Sequence, residues 1–458
     1  MTEELQTLYE RLQFYFETRK FADLRITVLD SEPADVAVFM ETNLCPNDRL
    51  KFFRLLPKEL ASDVFVETDA DIQEELIRAF TDKELKEVID DMFLDDTVDV
   101  IEEMPANVVK RILKNADPEN RKQINQLLEY PVDSAGSIMT TEYVSLSASM
   151  TVESAFDKIR KTGVNKETVY TCYVTDRKKR LVGVVTVRDM LLAEKDELVA
   201  HIMDSSVKTV ETLEDKEQVA LKFSKYDYLA LPVIDKEGCL VGIVTVDDAV
   251  DVIQEEATED IQKMAAMLPN EKPYLKQSIF SIWKARVPWL LLLMISATFT
   301  SMILSSFEGK LSALASGAVL YAFIPMLMGT AGNAGGQTSV TVIRALALGE
   351  VEFKDAFKVV LKELLSALIL GLTVAVVCFL KLYFIDTLYT DGIDVKVALV
   401  ISGVLLCAIL MAKTVGCLLP LLAKKCKLDP AVVASPFMTT IVDVLSLVIY
   451  CSVAIAVL

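Results

Sequence analysis

Over residues 1–130, apolar positions recur at helical spacing in short segments. The clearest are 71–80 (DIQEELIRAF), 82–93 (DKELKEVIDDMF) and 106–113 (ANVVKRIL), each opening near an Asp, Thr or Asn that caps a helix well. The pattern predicts an all-α N domain of stacked helical hairpins over residues 1–132. From Ser137 an internal repeat takes over: residues 138–159 and 202–223 both open on I-M, and 181–190 (LVGVVTVRDM) matches 240–249 (LVGIVTVDDA). A β-branched run, a helix and an apolar strand ending in V-T-V-x-D alternate in each copy, which predicts two β-α-β-β-α modules over 133–200 and 201–258. A charged stretch expected to be helical runs from Asp251 to Lys276, within a linking helix assigned to 259–283. Five apolar segments then follow in 284–458: 287–307, 311–328 continuing irregularly to about 346, 357–384, 397–422 and 431–457. Each offers the roughly 20 residues needed to cross roughly 30 Å of hydrocarbon, so the expected fold is a multidomain membrane protein with five spans.

Charge separates the same two halves. Residues 281–458 hold 13 Lys and Arg against 10 Asp and Glu, leaving 34 against 56 for residues 1–280 of the 458-residue chain. An acidic face of that strength repels phosphate backbones, so nucleic acid is excluded as a partner and metal cations fit better. The eight cysteines contain no CxxC pair and His201 is the only histidine, so neither a disulfide framework nor a thiolate or two-histidine metal site is indicated. The start, MTEELQTLYERLQFYFETRK, is amphipathic and charged, so a secretory signal is not expected and the N-terminus is expected in the cytoplasm. Lys272, Lys276, Lys284 and Arg286 precede the first span. Arg344, Lys354, Lys358 and Lys362 follow the second, and Lys424, Lys425 and Lys427 follow the fourth. The opposite connections carry only Lys310, Lys381 and Lys396, beside Asp386, Asp391 and Asp394. The positive-inside rule then puts the N-terminus in the cytoplasm and Leu458 outside the cell (inner) membrane.

Three groups of residues carry candidate chemistry. A carboxylate in mid-span costs about 2.5–3.5 kcal/mol on insertion scales and marks ion or proton paths. Asp443 is such a residue, in the segment S-P-F-M-T-T-I-V-D-V-L-S that begins at Ser435, with Thr439 and Thr440 one turn back on nearly the same helix face. Residues 325–344 (PMLMGTAGNAGGQTSVTVIR) hold Gly329, Gly332, Gly335 and Gly336 beside Asn333. Such glycines permit close helix packing or a local unwinding that bares carbonyls, and with no G-K-[ST] following they are not a phosphate loop. The acidic half supplies Asp63, Asp95, Asp96 and Asp99 in the N domain, and Asp215, Glu217 and Asp227 in the second repeat. Asp247, Asp248, Asp251, Glu255, Glu256, Glu259 and Asp260 lead into the linking segment. Asp248 with Asp251, and Glu256 with Glu259 and Asp260, would share helix faces and repel until a cation bridges them.

The repeat resembles tandem CBS (Bateman) domains, regulatory pairs that bind nucleotides or ions; Arg188 and Asp189 offer a base for phosphate and a carboxylate for ribose. The second copy, Val246-Asp247-Asp248, lacks that base, so ATP is expected as a modulator only. The glycine segment with its G-x-x-G-N-x-G-x-Q core, Leu361-KE, and Asp429-P through T-T-I-V-D-V-L-S, in this domain order, resemble the MgtE family of bacterial magnesium channels. That resemblance implies a homodimer in the lipid bilayer with a pore between subunits, where Asp443 holds hydrated Mg²⁺ beside Thr439, Thr440 and Gly329 to Asn333. It also implies closure by cytoplasmic Mg²⁺ bound between N domain, CBS pair and linking helix. Mg²⁺ sheds water reluctantly, so one carboxylate per subunit suits it. Two other functions fit the residues less well: a broader carrier for Mn²⁺, Co²⁺ or Ca²⁺, and a membrane-anchored CBS sensor, which leaves Asp443 unexplained. An enzyme is not expected, since the chain shows no nucleophile with a base and no Walker motif.

Overall fold

A computed structural model describes residues 3–270, 272–389, 393–434 and 436–458, so that Asp391 and Ser435 of the sequence expectations lie outside the described residues. The chain divides into two compact units, residues 1–253 and 254–458.

The first unit opens with short helices numbered α1 (Glu3–Glu17) to α10 (Pro118–Leu127). The three helices expected from periodicity are α6 (Ala70–Ala79), α7 (Asp82–Asp91) and α9 (Ala106–Asn115). At α7, Thr81 and Glu84 form a reciprocal capping box, which satisfies amide donors at a helix start. Leu76, Ile77, Leu85 and Ile112 bury their side chains in one core, which continues into Val219, Phe223 and Leu231 of the second repeat.

Each repeat builds a three-stranded sheet. The first comprises β1 (Ser145–Ser147), α11 (Val152–Thr162), β2 (Thr171–Thr175), β3 (Leu181–Thr186) and α12 (Val187–Leu192). After α13 (Val199–Ile202), the second comprises β4 (Val210–Glu211), α14 (Lys216–Tyr226), β5 (Ala230–Ile234), β6 (Leu240–Thr245) and α15 (Val246–Met264). In both sheets the first pair of strands is parallel and the second antiparallel. The repeated motifs have local causes. In T-V-x-D the aspartate accepts from the threonine at the helix start in both copies, Asp189 Oδ2 from Thr186 and Asp248 Oδ2 from Thr245, and in the first copy Thr186 Oγ1 also caps α12 by accepting from the Asp189 amide. The opening I-M of each copy crosses to the other copy. Thr140 N donates to Ile243 O (2.8 Å) while Met139 packs on Gly242, and Asp204 N donates to Val184 O (2.8 Å) while Met203 packs on Gly183. A side chain at either glycine of L-V-G would collide with that methionine.

Among the described residues of the second unit, five helices are long and apolar enough to cross a membrane. They are α16 (Ile279–Ser312), α17 (Gly317–Ala347), α18 (Ala356–Phe384), α19 (Val395–Lys425) and, after the short α20 (Pro430–Ala434), α21 (Pro436–Val457). Helices α17, α19 and α21 form the centre, where Leu327, Ala331, Val404, Ala408, Ala412 and Val442 are buried together. Two expectations need correction. The linking helix is not one element over 259–283: α15 ends at Met264, Ala266 adopts a left-handed φ of 55°, and Pro269 and Pro273 prevent its resumption before α16. Nor is the second span irregular. The segment G-T-A-G-N-A-G-G-Q stays α-helical, because Gly335 meets Gly416 of α19 at a backbone-to-backbone crossing and Met438 of α21 packs beside it.

This crossing predicts a contrast between two alanine variants. A methyl on Gly416 runs into the Gly335 carbonyl, so Gly416→Ala is expected to destabilise the helical unit by about 1–3 kcal/mol, lowering the unfolding temperature of the detergent-solubilised protein. Gly332→Ala, whose methyl meets nothing within 4 Å, is expected to leave that temperature unchanged or raise it.

Candidate ion groove and acidic cleft

The membrane unit carries a groove of about 860 Å³ between α17 and α21, lined by Met328, Gly329, Gly332, Asn333, Gly336, Gln337, Val340, Thr341, Met438, Thr439 and Asp443. The residues facing it from α17 follow a helical period. Gly329 and Gly332 have open space where a side chain would be, while Asn333, Gln337 and Thr341 form a polar ladder at four-residue steps. Asp443 and Thr439 face this ladder from α21. A half-buried carboxylate thus lies opposite an unobstructed stretch of α17 backbone, beside amide and hydroxyl oxygens of the kind that can accept from the water shell of a cation. Of the residues expected there, Gly329, Gly332, Asn333, Thr439 and Asp443 line the groove. Thr440 does not: its hydroxyl lies 3.0 Å from Ser296 Oγ on α16, because one residue past Thr439 a helix has turned by about 100°. Gln337 and Thr341 went unnoticed in the sequence, although their four-residue spacing from Asn333 marks the same face.

The acidic candidates do not gather as one cage. Among the described residues no group of three His, Cys, Asp or Glu is placed to hold a metal ion. Asp63, on α5 (Lys58–Val66), and Asp99, on α8 (Leu94–Glu103), are exposed, as is Asp251. Asp215 caps α14 by accepting from the Glu217 and Gln218 amides, Glu217 occupies the first turn of α14, and Asp227 ends it in a left-handed conformation. Glu256, Glu259 and Asp260 lie on α15, and Lys263 offsets part of the like-charge repulsion expected among them, although burial and the charges of Asp429 and Glu259 still hold the Asp260 carboxyl above its ordinary value. Lys263 Nζ sits 2.8 Å from Glu259 Oε1 and 2.7 Å from Asp429 Oδ2. Arg188 and Asp189 are exposed at the start of α12.

What the fold does bring together is a cleft between the N domain and the CBS-like pair. Asp95 and Asp96 enter it from the first turn of α8, Glu142 and Glu167 from loops of the first repeat, and Asp247 and Asp248 from the start of α15. Glu142 Oε2 accepts from the Leu94 amide (3.1 Å), and Asp95 is 93% buried, with Oδ1 lacking a hydrogen-bond partner, as does Glu167 Oε2. Burial first, and then the neighbouring carboxylates, push these groups up: Asp96 to about 6, Glu167 to about 8, and Asp95 and Asp248 well above the usual carboxylate range. Glu142 and Glu167 had no sequence signal, being single acids in loops that only the tertiary fold brings to α8.

Inside the helix bundle lies one more pair that escaped the sequence reading, Glu363 on α18 and Lys413 on α19, 3.0 Å apart.

Comparison with known proteins follows these features closely. A family model described as a divalent cation transporter, MgtE, matches residues 324–453, the MgtE intracellular N domain matches 31–133, and CBS domains match 135–196 and 199–255. The magnesium transporter MgtE of Thermus thermophilus is 37% identical over 436 residues, covering 94% of each chain, and that of Bacillus subtilis is 30% identical over 95% of this chain and 94% of its own. A crystal structure of the cytosolic domain of the Mg²⁺ channel MgtE in complex with ATP superposes with a TM-score of 0.51 at 35% identity, covering 53% of this chain and 99% of that one. With the helical N domain, paired CBS modules and five apolar helices in the family's order, the chain belongs to the MgtE family of divalent cation transporters and is not an enzyme.

Proposed function

We propose that the protein carries Mg²⁺ into the cytoplasm through a pore formed where the α17–α21 grooves of two copies face each other, and that cytoplasmic Mg²⁺ closes it. The observation that carries this is Asp443 lining the groove opposite Gly329 and Gly332, in a chain homologous along 94% of its length to a magnesium transporter. A carboxylate in a span is tolerable where water and ions reach it, and a groove open along one side of a single chain becomes a conduit when a second copy closes it. Two Asp443 carboxylates about a two-fold axis would balance one divalent ion that keeps most of its waters. The basic residues after α17 and α19 support a cytoplasmic N-terminus and an outer C-terminus.

The acidic cleft supplies the feedback. Asp95, Asp96, Glu142, Glu167, Asp247 and Asp248 crowd like charges into a partly buried space, so the compact arrangement is favoured by bound Mg²⁺ and disfavoured without it. Asp63, Asp99, Asp215, Glu217, Asp227 and Asp251 add acidic groups to the first unit, and Glu256, Glu259 and Asp260 add theirs to the second, as sites from which such ions are drawn. ATP serves as a modulator at Arg188 and Asp189, since a relative's cytosolic domain was crystallised with it.

In liposomes loaded with a Mg²⁺ dye, Asp443→Asn and Asp443→Ala are expected to abolish influx; undiminished influx in both removes the pore assignment. Limited proteolysis of the full chain is expected to show protection rising with millimolar Mg²⁺, and protection unaffected by Mg²⁺ counts against the feedback.

Proton linkage adds a sign. Asp95, Asp96, Glu142, Glu167 and Asp248 have folded-state pKa values above those of the unfolded chain, so the metal-free compact form is most stable near pH 4 and loses that stability as pH rises towards about 8. Mg²⁺ must displace these protons, so its half-protective concentration is expected to be higher at pH 6 than at pH 8, and Asp95→Asn should flatten the pH dependence seen without Mg²⁺.

A further inference from the structure

Behind the groove, three helices meet at a cluster of charged and hydroxyl side chains inside the bundle. Lys413 Nζ on α19 lies 3.0 Å from Glu363 Oε2 on α18 and donates to Ser366 Oγ (2.9 Å) one turn further along α18. The same Glu363 oxygen accepts from Thr338 Oγ1 of α17 at 3.0 Å. Thr338 is 2% exposed, and the Lys413 and Glu363 side chains are 9% and 19% exposed. Lys413 stands twelve residues from the end of α19, about 18 Å at helical rise, and Glu363 lies within α18, two turns from its start.

On α17 the cluster holds the face turned away from the groove. Gln337 and Thr341 point into the groove, while Thr338 points at Glu363, and one turn earlier Gly335 touches Gly416. Gly335 and Gly416 meet there backbone to backbone, with the flexible Met438 side chain beside them, so the crossing itself supplies no directional polar bond to set the rotation of α17. A charge-assisted bond three residues further along supplies one. We propose that Glu363 and Lys413 are positioning residues for permeation: through Thr338 their ion pair fixes the rotation of α17, and so the distance from Asn333 and Gln337 to Asp443. This rests on the groove being the ion path. It assigns the pair a part in selectivity, since a cation held through its water shell is discriminated by groove width, and Ca²⁺ accepts looser and more variable coordination than Mg²⁺.

The test compares Mg²⁺ and Ca²⁺ influx in liposomes for wild type, Thr338→Val, and the double variant Glu363→Gln with Lys413→Met. Both variants avoid stranding one buried charge, and Thr338→Val keeps the side-chain volume while removing the tether. The expected result is monodisperse protein with Ca²⁺ influx raised relative to Mg²⁺ by about threefold or more in both variants. The charge exchange Glu363→Lys with Lys413→Glu is expected to bring the ratio back towards wild type. An unchanged ratio in a folded Thr338→Val protein overturns the proposal, even where the unfolding temperature or total influx falls, because a merely structural pair would alter only those. The Asp443→Asn control separates the two ideas: influx persisting there removes the groove reading, whereas influx lost there with an unchanged ratio in Thr338→Val removes the positioning role alone.

Discussion

A carboxylate surrounded by apolar helices is the constraint on which the membrane unit depends. Asp443 has no ion-pair partner among the described residues, and it sits in a span whose other side chains are almost all apolar. No cationic side chain among the described residues neutralises it, and its place on the open groove leaves it accessible to water. The glycines of α17 make that possible by having nothing to place in the way. The same helix needs glycine for the opposite reason on its other face, where Gly335 lets α19 approach until backbones touch. One glycine-rich stretch is thereby a packing surface on one side and an open wall on the other, and a regular helix serves both without unwinding.

The acidic cleft is the same electrostatic problem outside the membrane. Six carboxylates from three parts of the first unit meet there; burial disfavours the charge on Asp95, Asp96, Glu142, Glu167 and Asp248, and neighbouring carboxylates add to the penalty on all of these but Glu142. Such an arrangement stores a preference for cations or protons that an exposed acidic surface lacks, because solvent screens exposed charges from one another. The bond that Thr245 donates to Asp248 shows how closely structure and charge are joined, since a carboxylate bonded in the first turn of α15 also faces the cleft.

Features set by short-range periodicity were legible in the sequence: the helices of the N domain, both repeats, five spans and the place of Asp443 in the last. The stacking of the N-domain helices was not, since α5 packs on α7 and α7 on α9, and α4 (Pro46–Phe53) on α6 and α6 on α8, rather than as successive hairpins. What depended on neighbours was not. The adjacent hydroxyls Thr439 and Thr440 look alike in sequence, yet one lines the groove and the other bonds Ser296, and only the placement of α16 separates them. The glycines were compatible with packing or unwinding until α19 supplied Gly416 as a partner. Glu142 and Glu167 became cleft residues through tertiary folding alone. Glu259 looked like part of a repelling acidic face, but Lys263 lies one helical turn away and joins it to Asp429.

Intramembrane charges therefore need sorting by what surrounds them. Glu363 and Lys413 would each be as costly as Asp443 if isolated, and by sequence all three are charges within apolar segments. Glu363 and Lys413 neutralise one another, take hydroxyl partners from Thr338 and Ser366, and turn away from the groove. Asp443 does the reverse on each count. A paired and hydrogen-bonded charge has its electrostatic demand met within the protein and is free to act as a tether. An unpaired one beside an open groove keeps its demand, and in the proposed pore a hydrated cation satisfies it without displacing a helix.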